Sequence, residues 1–61
     1  MERLLDVTHA RTALGISVPT LYRLIEQGEL PFVKIAGRTL FRPRDVEELV
    51  DRKVRKGRAR R

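Results

Sequence analysis

The side chains of this sequence that are equipped for chemistry are cations and hydroxyls rather than nucleophiles or metal ligands. Ser17, Thr20, Tyr22 and Arg23 stand together in SVPTLYR, and Lys34, Arg38 and Arg42 recur at every fourth position. A hydroxyl donates to a single phosphate oxygen, whereas the arginine fork matches two adjacent acceptors, on a phosphate or on the edge of a guanine. A third set is the run RKVRKGRARR, in which residues 52–61 hold seven bases and no acid, net +7. Residues 1–51 hold seven bases against eight acids, net −1, so the overall charge of +6 is carried by the last ten residues. That run has too little apolar content to fold alone, and its charge suits a polyanion, either nucleic acid or an anionic membrane surface. The plainer alternative is a basic tail that only keeps the chain soluble.

The same inventory excludes several classes. With no cysteine and a single histidine, His9, neither a disulfide framework nor a zinc site is available. No serine stands with an evident base partner, no glycine-rich phosphate loop is present, and Asp45, Glu47 and Glu48 read as ordinary first-turn helix acids. A chain of 61 residues makes one domain that buries only about 60 % of its unfolded surface, too little to wall off a cleft from water. The reading is a binding domain without catalytic activity, cofactor or metal. No apolar run approaches the roughly 18 residues of a membrane span, and MERLLD lacks the basic-then-apolar pattern of a signal peptide, so a cytoplasmic protein is expected.

The elements that must position these residues are short and well punctuated. Asp6 can cap a helix over Val7–Leu14, and Gly15 then stops it. Ser17 is a second cap, Pro19 sits in the first turn where its missing N–H does no harm, and Gly28 ends a helix over Val18–Gln27. Val18, Leu21, Leu24 and Ile25 form its apolar stripe, leaving Pro19, Thr20, Tyr22, Arg23, Glu26 and Gln27 on the other side. FVKI and TLFR flank a glycine and read as a hairpin. A three-residue loop over Ala36, Gly37 and Arg38 is preferred to a Gly37-Arg38 loop, because it gathers Val33, Ile35 and Phe41 on one face and leaves Lys34 and Arg42 outside. It also leaves Phe32 and Leu40 outside, a small apolar patch that a neighbouring protomer could cover. Pro43 and Asp45 open a third helix with apolar Val46, Leu49 and Val50, running to about Arg52.

Two short helices joined by a tight turn, then a hairpin, then a packing helix make a helix-turn-helix followed by a wing. The fold class expected is mainly α with a small β-hairpin: a winged helix-turn-helix over residues 1–53, with a basic tail over 54–61. LGIS at Leu14–Ser17, TLYRLI at Thr20–Ile25, GELP at Gly28–Pro31 and GR at Gly37-Arg38 stand in that order. In this ordered set, Leu4 to Val50 resembles the excisionase-type winged helix-turn-helix family, which is related to the DNA-binding heads of MerR-like regulators. The wing departs from that family's pattern at Leu40, where a polar residue is usual.

The resemblance implies that Ser17, Pro19, Thr20, Tyr22 and Arg23 face the major groove, with Arg23 toward a base edge and Thr20 and Tyr22 toward phosphates. It places Arg38 at the wing tip, with Lys34 and Arg42 beside it. Arg55, Lys56, Arg58, Arg60 and Arg61 would add sequence-independent contacts. The implied role is that of a phage or mobile-element excisionase. Such a protein binds repeated sites beside an attachment site, bends the DNA and directs a tyrosine integrase toward excision. It would be a monomer in solution that assembles head to tail on DNA through Phe32 and Leu40. A small transcriptional regulator of the same fold and an integrase-docking adaptor are the competing readings.

Overall fold

A computed structural model describes residues 3–54, and the tail bases Arg55, Lys56, Arg58, Arg60 and Arg61 lie outside the described residues. The elements run β1 (Leu5–Asp6), α1 (Val7–Leu14), α2 (Val18–Glu26), β2 (Val33–Ile35), β3 (Arg38–Phe41) and α3 (Pro43–Lys53). This is the three-helix winged architecture read from the sequence, with one strand added. β1 pairs antiparallel with β3, making a three-stranded sheet in the order β1-β3-β2. Two residues are too few for an alternating pattern to announce a strand, and Asp6 was already legible as the cap of α1. It serves as both.

Local chemistry fixes each helix end. The Asp6 carboxylate accepts the His9 N–H at 2.8 Å, and Gly15, at φ 70°, returns its own N–H to the last turn of α1. Across that turn the Ile16 N–H donates to the Arg11 carbonyl at 3.0 Å, and Arg11 Nε donates back to the Ile16 carbonyl at 3.1 Å. Arg11 is half-buried because it braces the turn between the two helices. α2 ends in a Schellman motif: Gly28, at φ 76°, donates to the Ile25 carbonyl and Glu29 to the Leu24 carbonyl, both at 3.0 Å.

The wing departs from the expected register. Ile35 pairs with Arg38, Lys34 with Thr39 and Val33 with Leu40, so the turn is the two residues Ala36-Gly37. Both have positive φ, 51° and 79°, which gives the primed turn whose twist matches that of the strands. Paired residues share a sheet face, so Val33 and Ile35 stand with Leu40 and Arg38, while Phe41 turns to the other face and into the core. The expected grouping of Val33, Ile35 and Phe41 is therefore wrong, and Ile35 remains exposed. Leu40 is not left outside either: in the central strand, between Asp6 and Val33, it is half-buried.

The core consists of Ala10, Leu21, Leu30, Phe41, Val46 and Leu49, with Leu5, Val7, Leu14, Ile16, Leu24 and Ile25 packed around it. Val18 and Val50, expected to join it, are exposed. α3 starts from an ion pair, in which the buried Asp45 carboxylate accepts from Arg42 Nε at 2.7 Å and Nη2 at 3.0 Å. Its other end is tied to the turn after α2, where Arg52 Nη2 donates to the Glu29 carbonyl at 2.6 Å and Lys53 Nζ meets Glu29 Oε1 at 2.9 Å. Among the described residues no helix is long and apolar enough to cross a membrane.

Candidate nucleic-acid interface

The candidate surface begins at the N-terminus of α2, where the helix dipole favours an anion. Leu21 drives one side of α2 into the core with Leu24 and Ile25 beside it, and this turns Val18, Pro19, Tyr22 and Arg23 outward. Thr20 sits at the margin, half-buried. Ser17 Oγ accepts the Thr20 N–H at 3.4 Å and lies 2.9 Å from Thr20 Oγ1, so these two hydroxyls are bound to each other as well as to the helix start. No acid occurs between Ser17 and Ile25, and Glu26 closes the helix at the far end. Arg23 is the only charge on the exposed side of the first two turns.

The wing residues are less gathered than the sequence suggests. Arg38 adjoins the turn and is exposed, but the register puts Lys34, paired with Thr39, on the opposite sheet face. Lys34 Nζ reaches Thr39 Oγ1 at 3.4 Å. Arg42 lies past the wing as the cap residue of α3, its guanidinium turned to Asp45. Phe32 is exposed and Leu40 is half-buried, so the two do not form one bare patch.

Sequence reasoning missed a second cluster. Arg3, Asp6, His9, Arg38 and Leu40 line a hollow of about 400 Å³ on the wing side of α1. The Asp6 carboxyl is held below the usual carboxylate range, chiefly by the His9 backbone N–H, then by the His9 ring at 2.8 Å, with a smaller push from Arg38. The Asp6 to His9 spacing of three residues on a helix start was the available signal. The Glu29 carboxyl is likewise lowered, first by the hydrogen bond from Lys53 and then by the charges of Lys53 and Arg52.

A groove of about 330 Å³ lies on the side of α2 away from Tyr22, lined by Leu14, Ile16, Leu24, Leu49, Val50 and Val54 together with Lys53. Lys53, the charged residue of that lining, is paired with Glu29. Among the described residues no three His, Cys, Asp or Glu side chains come together as a metal site.

Residues 4–54 match a family model described as a helix-turn-helix domain. Comparison with curated proteins and with solved structures returned no match. The matched span takes in α1, the turn, α2, the wing and α3, and helix-turn-helix domains of this kind bind double-stranded DNA and are typically not enzymes.

Proposed function

Because the chain belongs to the helix-turn-helix domain family, whose DNA-binding members include excisionase-like ones, we propose that it is a sequence-specific DNA-binding protein of the excisionase type. It binds repeated sites beside an attachment site, bends the duplex and directs a tyrosine integrase toward excision. The observation that carries the DNA-reading half of this proposal is the first two turns of α2. They are free of acid, expose Tyr22 and Arg23, and are held at a fixed angle by the Arg11–Ile16 brace and the Ser17 cap. In this reading Arg23 takes a base edge, Tyr22 and the Ser17–Thr20 pair meet phosphates, and Arg38 grips the backbone beside the wing. Lys34 and the tail bases add charge that any sequence satisfies, while Arg42, turned to Asp45, anchors the start of α3.

The excisionase role is supported by the ordered likeness of LGIS, TLYRLI, GELP and GR to that family. Exposed Phe32 offers a contact for a neighbouring protomer in a head-to-tail array. A nuclease footprint of the full chain across an attachment site and its arms tests the role. Several protected direct repeats with bending support it. A single protected promoter site makes the protein a regulator instead, and no protection at any concentration makes it an adaptor.

A further inference from the structure

Val18 departs from its expected place in a way that bears on what α2 reads. Its position in the apolar stripe should have buried it, yet it is 38 % exposed, and Tyr22 one turn later is 43 % exposed. Pro19, between them in sequence, is exposed as well. At 100° per residue, Val18, Tyr22, Pro19 and Arg23 follow one another around an arc of about 140°. Around that arc the helix therefore presents valine, the aromatic ring, proline and the guanidinium in turn, with valine and proline together forming an apolar edge at its first turn. A domain with so small a core gains nothing in stability from leaving Val18 outside it, yet folding leaves more than a third of Val18 uncovered.

The major groove offers one apolar feature on unmodified bases, the C5-methyl group of thymine. Everything else on its floor is a hydrogen-bond donor or acceptor. Valine and proline side chains placed over a G·C pair would strip water from those groups without replacing it. We infer that the Val18–Pro19 edge of α2 reads a thymine methyl while Arg23 reads a guanine, so that the recognised site holds a thymine at a fixed distance from that guanine. Val18 and Arg23 are five residues apart, about 7.5 Å along the helix axis, which is about two base steps of 3.4 Å. The inference rests on the DNA-binding reading above and adds base identity and spacing to it.

The experiment starts with selection of binding sequences by the full chain from a random duplex library. Each thymine of the selected site is then replaced by deoxyuridine, which removes only the methyl, and affinity is followed by fluorescence anisotropy. Folding of each variant used is confirmed by circular dichroism. The expected result is one thymine, about two steps from an invariant guanine, whose demethylation weakens binding about fourfold, the loss of one buried carbon group (~0.8 kcal/mol). That sensitivity should vanish in Val18→Ala or in Pro19→Ala while the guanine preference is kept. Indifference of the selected site to every demethylation overturns the inference and leaves the DNA-binding reading standing. So does a demethylation loss that is the same in the wild type and both variants. Failure to enrich any sequence overturns the DNA-binding reading and the inference together.

Discussion

Arg23→Ala separates base reading from backbone binding more cleanly than any other single change in this protein. Among the described residues the Arg23 guanidinium has no partner, and its backbone carbonyl, which accepts from Gln27 at 2.9 Å, is untouched by the substitution. Folding stability should therefore move by no more than about 0.5 kcal/mol, because an exposed side chain is exchanged for the best helix former. Binding should fall by much more. A bidentate arginine–guanine contact is worth about 1–3 kcal/mol, or about fivefold to 150-fold in affinity, and only on the sequence that offers the guanine. Arg38→Ala is the reference: at the wing it removes about one phosphate contact, weakening matched and scrambled duplexes alike and lowering the slope of log K against log salt by about 0.9. Anisotropy titrations of both variants on both duplexes over a salt series give all four numbers. If Arg23→Ala loses equally on matched and scrambled DNA, Arg23 touches phosphate and the assignment of α2 as the base-reading element is wrong.

Other consequences follow from the fold. Arg42→Ala leaves the Asp45 carboxylate, 5 % exposed, without its forked partner, and should lower stability in urea by about 1–2 kcal/mol after allowing for the half-exposed arginine; an unchanged midpoint would free Arg42 for DNA. Ala36→Gly should raise stability by about 0.5–1 kcal/mol, since Ala36 sits at φ 51° where glycine is unstrained, and a fall would show that the wing turn is not Ala36-Gly37. The Asp6 carboxyl has a lower pKa folded than unfolded, so its contribution is present above the unfolded value and is lost as pH falls through the folded one. Stability curves of the wild type and of Asp6→Asn should therefore run parallel down to the usual carboxylate range and converge below it, the wild type losing stability more steeply; curves parallel throughout would deny Asp6 that role.

The helices were legible because single residues mark their ends. Asp6, Gly15, Ser17, Gly28 and Pro43 each act through backbone chemistry that needs no tertiary partner, and every boundary they suggested lies within a residue or so of the observed one. The sheet was not, because its register depends on which residue tolerates positive φ and on a strand as short as β1. A glycine announces that conformation and an alanine does not, so the sequence makes Ala36 look like an ordinary loop residue and puts Phe41, Leu40 and Ile35 on the wrong faces. For the site, the sequence identified which helix is exposed and that its acid lies late. It could not show that Arg42 is turned to Asp45, or that Arg38 shares a hollow with Arg3 and His9. Those are long side chains whose partners are decided by packing.

Ser17 poses the last problem, since one hydroxyl is asked both to start α2 and to meet DNA. Ser17 and Thr20 carry two hydroxyl protons between them, and the 2.9 Å bond joining the hydroxyls uses one. One proton is left to donate to a phosphate. Ser17→Ala would remove the cap, at a cost of about 1 kcal/mol, along with the donor, so weaker binding in that variant would not say which loss mattered. Ser17→Asp separates them. Aspartate caps as well as serine does, can accept the Thr20 N–H and hydroxyl, and suits the helix dipole, so thermal stability should hold or rise. Its carboxylate, however, would stand where a phosphate must come, and a like charge within about 4 Å costs 1 kcal/mol or more even in water. DNA affinity at low salt should therefore drop roughly fivefold or more, with the difference shrinking as salt screens it. Undiminished affinity in a folded Ser17→Asp variant would mean that the start of α2 does not approach the backbone, and the orientation proposed for the helix would have to be abandoned.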